Sequence, residues 1–191
     1  MIKLTKRSFC IALACGAVVL ATSPALAAKV KTEDQLIADL SSPKDTVVES
    51  AMLKLEKEHP TSTKATTEIK KYLGDARPKV RRKAARVLGS LHADVTSAEL
   101  KSICELLKAA DYKEILDGLI ALRGLKAKET LPQITPLLNH TQQNVVRDAC
   151  RTIAVLGDKS HIPLIEPLLK DKNASIQKDA QDAIYALKNK S

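Results

Sequence analysis

A leucine recurs along this chain at Leu40, Leu73, Leu107, Leu138 and Leu169, at spacings of 33, 34, 31 and 31 residues. Each brings a column of neighbours with it. Four residues earlier stand Leu36, Ile69, Ile103, Ile134 and Ile165, and seven residues later Val47, Val80, Glu114, Val145 and Ile176. Four further on come Ala51, Ala84, Gly118, Ala149 and Ala180, then after four more Leu55, Leu88, Leu122, Ile153 and Ile184. Only Glu114 breaks an apolar or small column, and Ile115 beside it can take its place. Self-similarity at such a period is the signature of a stacked array, so the chain must be read as copies of one unit before any fold is assigned.

Apolar residues four and seven apart lie on one face of an α-helix. Each unit therefore reads as a helix A of about 10–14 residues, a short turn and a helix B of about 14. The stretch from Ile69 to Leu91 shows the unit whole, with its turn at Gly74–Pro78. Five units follow at 32–59, 60–93, 94–126, 127–158 and 159–191. Pro43 and Pro78 sit where the first turn of a helix B tolerates a missing N–H, and Thr32–Gln35 and Thr96–Glu99 are capping boxes opening helices A. Gly157 and Asp158 end the fourth helix B. Five residues beyond the helix B anchor stand Met52, Ala85, Leu119 and Cys150, then Gln181, a column that turns polar in the last copy as an end cap would.

Composition agrees with an all-α solenoid. The chain has three Tyr, one Phe and no Trp, so its core is thin and built from Ala, Leu, Ile and Val. The single Phe belongs to an address. Lys3, Lys6 and Arg7, an apolar run from Phe9 to Leu20 and the small-x-small site Ala25-Leu26-Ala27 fit a signal peptide cleaved after Ala27. That implies a periplasmic or secreted solenoid of residues 28–191. An uncleaved anchor would need about 20 apolar residues, and a lipoprotein reading would rest on Cys15 behind Ala12-Leu13-Ala14, a poor fit. No later segment is apolar enough to span a membrane.

The residues IKKYLGD…VRRKAARVLGSL of Ile69–Leu91, and IPLIEPLLKD followed by Ile176 and Ala180, resemble HEAT repeats of the phycocyanobilin-lyase type. The resemblance implies a right-handed solenoid with A helices on the convex side and B helices lining the concave side. It also implies that Arg81 pairs with Asp75 and locks the turn. Prolines recur at Pro132 and Pro136 and again at Pro163 and Pro167, and the second of each pair should bend its helix.

Candidate chemistry is sparse. One enzyme with HEAT repeats, deoxyhypusine hydroxylase, holds iron with repeated His-Glu pairs. Here His59, His92, His140 and His161 precede Pro60, Ala93, Thr141 and Ile162, so its motif maps onto no position, and no metal or other cofactor is expected. His59 and His92 occupy equivalent places after a helix B, where a cationic ring suits a helix C-terminus. Cys104 and Cys150 read as small buried residues, a disulfide being conceivable only if their α-carbons come within about 7 Å. Glu105 and Asp117 read as solvated helix residues. With no nucleophile beside a base and no phosphate loop, the expectation is a chain that is not an enzyme.

Surface is what remains. Between Lys64 and Arg86 nine basic residues face only Glu68 and Asp75. On helix B, the positions opposite the core carry Arg82 and Arg86, then Leu116, Ile120 and Arg123, then Arg147 and Arg151. An apolar pair framed by arginines resembles a protein-binding hot spot, with Lys79 and Lys83 as a flanking basic patch. The competing view is that these arginines are solvated or paired with Asp117 and Asp148. The leading expectation is an exported, monomeric, non-enzymatic scaffold that grips a protein partner on the B face. A second is a binder of anionic envelope ligands, lipid headgroups or polysaccharide, through the basic patch. Nucleic acid is disfavoured by the lack of aromatics for stacking, and a lyase or metal hydroxylase rests on fold analogy alone.

Overall fold

The computed structural model describes residues 31–190, so the expected leader, the expected cleavage site and Cys15 lie outside the described residues. Among the described residues ten α-helices follow one another: α1 (Glu33–Asp39), α2 (Asp45–Glu58), α3 (Thr63–Lys70), α4 (Pro78–Ser90), α5 (Ser97–Glu105), α6 (Tyr112–Gly124), α7 (Leu131–Ile134), α8 (Gln143–Leu156), α9 (Ile162–Ile165) and α10 (Ala174–Lys188). Odd-numbered helices are the A helices and even-numbered ones the B helices. No described helix is long and apolar enough to cross a membrane.

Local sequence sets most of the boundaries. Thr32 and Thr96 accept from the backbone N–H groups of Gln35 and Glu99, whose side chains reach back to close both capping boxes. Pro78 opens α4, while Pro43 lies one residue before the N-cap Lys44 and so outside α2, unlike the sequence expectation. Pro132 and Pro163 sit in the first turns of α7 and α9. Pro136 and Pro167 have no N–H to continue the α pattern, and the chain tightens there into 3-10 turns at Thr135–Asn139 and Glu166–Lys170. The A helices of the second and third pairs end in the same way at Lys71–Gly74 and Leu106–Lys108, where no proline stands.

The tightening moves one core position. In a 3-10 turn residues three apart eclipse, so Leu168, not Leu169, shares the inner face with Ile165. Leu168 is buried and Leu169 is 41% exposed. In α2 the buried set is Val48, Ala51, Met52 and Leu55, which puts Val48 in the place expected of Val47. The other columns run through one continuous core, with Leu36, Ile69, Ile103, Ile134 and Ile165 all fully buried. Gln181 is exposed where Met52, Ala85, Leu119 and Cys150 are buried.

Consecutive B helices pack directly on each other from α2 to α10, more extensively than the A helices do. The closest approach is between α4 and α6. A Cβ on Gly89 would lie 2.6 Å from the Ala121 Cα and 2.8 Å from its carbonyl oxygen, so only glycine fits there. Both helices end in Schellman motifs, with Ala93 N–H on Leu88 O and Ala127 N–H on Leu122 O. The left-handed residues of these caps are His92 and Lys126, at φ 49° and 55°, rather than glycines.

Candidate functional site

The arginines of the B face turn out to be joints. On α4, Arg82 and Arg86 stand one turn apart and converge on Asp117 of α6: Arg82 Nε lies 2.6 Å from Oδ2 and Arg86 Nη1 3.2 Å from Oδ1. On α8, Arg147 Nε meets Asp179 Oδ2 of α10 at 2.6 Å, and Arg151 Nη2 meets Oδ1 at 2.9 Å. Arg123 of α6 lies 4.0 Å from Asp148 of α8, and Arg151 also lies 3.5 Å from it. Asp117 and Asp179 are both buried. Asp117 is therefore no solvated residue, because two guanidinium groups replace its water. The pattern was in the sequence: three residues after the helix B anchor stand Asp117 and Asp179, each following a unit that carries an arginine pair, while Asp148 follows the unit that carries Arg123 alone.

The turn of the second unit differs from the family expectation. Arg77, not Arg81, takes the Asp75 carboxylate, donating from Nε at 2.9 Å and Nη2 at 2.8 Å. That hydrogen-bonded guanidinium holds Asp75 below the usual carboxylate range. Arg81 locks the turn through its backbone instead, donating to the carbonyls of Asp75 and Ala76, and pairs with Glu114 at 3.1 Å. This accounts for the one break in the core columns: Glu114 is buried because Arg81 neutralises it, with Ile115 buried alongside.

Ion pairing sorts the basic run. Lys64, Lys70 and Lys71 pair with Asp34, Glu99 and Glu68, and Arg77, Arg81, Arg82 and Arg86 are bound as described. Of the nine basic residues, Lys79 and Lys83 are left with no carboxylate within 4.0 Å among the described residues, and Lys113 of α6 joins them.

These lysines border two adjoining recesses. A cavity of about 440 Å³ runs across α2, α4 and α6, with Leu53, Val87 and Ile120 as its apolar lining and Lys83, Arg86, Arg123, Glu56 and His92 around them. Leu53 is 47% exposed. A second recess of about 280 Å³ shares Lys83 and Arg86 and adds Lys79, Arg82, Lys113, Glu49 and Asp117. The structure thus brings together Arg82, Arg86, Ile120, Arg123, Lys79 and Lys83 of the expected site. Leu116 packs partly buried against the core and lines neither recess, and Arg147 and Arg151 lie at the distant α8–α10 joint. Leu53, which is not among the residues expected from the sequence, is the apolar residue that completes the cavity.

Other candidate groups are absorbed locally. His92 Nδ1 lies 2.6 Å from the Gly124 carbonyl, His140 Nδ1 accepts from the Gln142 N–H, and His161 Nδ1 lies 3.0 Å from Asp158. Among the described residues no three His, Cys, Asp or Glu side chains converge as metal ligands. Cys104 and Cys150 are free and buried, and burial pushes the Cys150 thiol up to about 12.

The fold is that of an α-solenoid of stacked helical hairpins. No family model matches the chain, and no curated protein matches it. Solved structures do. The complex of CpcE and CpcF of phycocyanin lyase from Nostoc sp. PCC7120 superposes with a TM-score of 0.72 at 23% identity, over 87% of this chain and 69% of that one. Computationally designed armadillo repeat proteins for modular peptide recognition match at 0.58 and 18% identity, over 80% of this chain and 81% of that one. A designed armadillo repeat protein in complex with the peptide (KR)4 matches at 0.59 and 18% identity, over 82% of each chain. At such identities these likenesses establish the fold. They also correct one expectation. A fold shared with a phycocyanin lyase gives no ground for reading the chain as devoid of enzymatic activity.

Proposed function

We propose that the chain is an exported solenoid of five HEAT-like units, released by cleavage after Ala27, that docks a protein partner on the exposed face of its B layer. The observation that supports this is the cavity across α2, α4 and α6, in which Leu53 and Ile120 stand among cations. An exposed leucine in a recess ringed by charged side chains has the anatomy of an interface anchor, apolar at the centre and polar at the rim. The designed repeat proteins of the same fold include one in complex with a peptide, which fits the use of such a surface. Arg86 and Arg123 serve the site as fixed walls, since their own ion pairs hold them in place.

A photo-crosslinking amino acid placed at position 53 or 120 tests the reading in cells. Leu164 on α9, exposed to a similar degree, serves as the control. Adducts from 53 and 120 but not from 164 support docking at the cavity. Equal adducts at all three, or none at 53 and 120, contradict it. The second reading, an anionic envelope ligand on Lys79, Lys83 and Lys113, rests on the lack of carboxylate partners for those lysines. It predicts binding that falls steeply with salt and does not respond to Leu53→Ala.

A further inference from the structure

Lys79, Lys83 and Lys113 define the chemistry of the partner. We infer that the segment docked in the cavity is an acidic peptide carrying one aliphatic side chain, an inference that rests on the docking reading above. The cavity and the smaller recess adjoin, sharing Lys83 and Arg86 in their linings, and a peptide laid across those two side chains would reach both. The first part offers the exposed Leu53 and the partly buried Ile120 to an apolar side chain. The second is lined by five cations against Glu49 and Asp117, and Asp117 is already spent on Arg82 and Arg86. The three lysines then face Glu49 alone, so the recess keeps an excess of positive charge.

Lys79 and Lys83 are one helical turn apart on α4, a separation of about 6 Å. Alternate side chains on one face of an extended peptide lie about 6.6 Å apart, so two carboxylates at positions i and i+2 match the two ammonium groups. Lys113, one helix further on, receives the next. A bare phosphate or headgroup would leave the apolar part of the groove empty. A nucleic acid would find no Phe, Tyr or Trp lining either recess to stack on. A basic peptide of the (KR)4 kind would meet like charge here.

The probe is the fluorescein-labelled peptide Glu-Asp-Glu-Leu-Glu-Asp-Glu titrated into the full-length chain and followed by anisotropy. Its Leu→Ala form, a Lys-for-acid form, phosphatidylglycerol vesicles and an oligothymidylate serve as competitors. Saturable binding is expected, weakened about tenfold by Lys79→Glu with Lys83→Glu and about fivefold by Leu53→Ala, with circular dichroism unchanged. The Lys-for-acid peptide should not bind. No saturable binding of the acidic peptide, insensitivity to the lysine reversals, or preferential competition by vesicles or oligothymidylate overturns the inference. Cross-links at 53 and 120 without acidic-peptide binding would sink this inference alone, and absence of both would sink the docking reading with it.

Discussion

Arg82 of α4 donates to the buried carboxylate of Asp117 in α6 at 2.6 Å, and Arg86, one turn on, takes the other carboxylate oxygen. The same device joins α8 to α10 through Arg147, Arg151 and Asp179. Adjacent B helices are therefore tied by charge on the very surface that a ligand would touch. Removing Asp117 leaves two half-buried guanidinium groups facing each other. Asp117→Ala should cost about 2–3 kcal/mol, as loss of a hydrogen-bonded charge does. Urea unfolding should show a lower midpoint.

Close packing of α4 on α6 makes a second, sharper contrast. Gly89→Ala forces a methyl group against the Ala121 backbone and should destabilise the chain by about 2 kcal/mol or more, despite the better helix propensity of alanine. Gly74→Ala meets nothing within 4 Å and has no left-handed backbone to relieve, so it should be neutral or stabilising by about 0.5 kcal/mol. Paired thermal melts of the two variants check this.

Lys126 occupies the left-handed position of the α6 cap while exposed to solvent. Glycine there is free of the Cβ clash, so Lys126→Gly should stabilise by about 0.5–1 kcal/mol. For a chain of this size that is a rise in Tm of about 1–4 °C.

How far the sequence revealed all this depends on which interactions are local. Thr32–Gln35 and Thr96–Glu99 close within one helical turn, and the columns through Ile69, Leu73, Val80 and Leu88 follow from helical periodicity. Leu169 was misplaced because the switch from α to 3-10 geometry after Pro167 changes the residues per turn. The site was only half legible. Arg82 and Arg86 look identical to Lys83 on a helical wheel, and only the neighbouring helix distinguishes them by bringing Asp117 to two and leaving the third. Arg81 points the same way, since its partner Glu114 belongs to the next unit. Leu53 is not in the sequence-derived site, because only the fold sets α2 and α6 on either side of α4 and places it in one cavity with Ile120.

Several carboxylates gain partners on folding. Arg77 lowers Asp75, hydrogen bonds from Ser160 hold Asp158 at about 2, and Lys108 lowers Glu105. A carboxyl whose folded pKa is depressed contributes stability above its unfolded pKa, and that contribution disappears as pH falls through the folded value. Stability should hold from neutral pH to about 5 and decline between about 4 and 2. Urea midpoints across that range check the sign; a rise in stability on acidification would refute it.

The basic run of α4 divides into arginines that hold the solenoid and lysines that are free to bind, and that division is most directly tested by comparing Arg82→Ala with the double variant Lys79→Ala, Lys83→Ala in urea. Arg82→Ala should lower stability by about 1.5–3 kcal/mol, while the lysine pair should change it by less than about 0.5 kcal/mol. Equal losses from the two, or a larger loss from the lysines, would contradict the division and with it the assignment of Lys79 and Lys83 to the site.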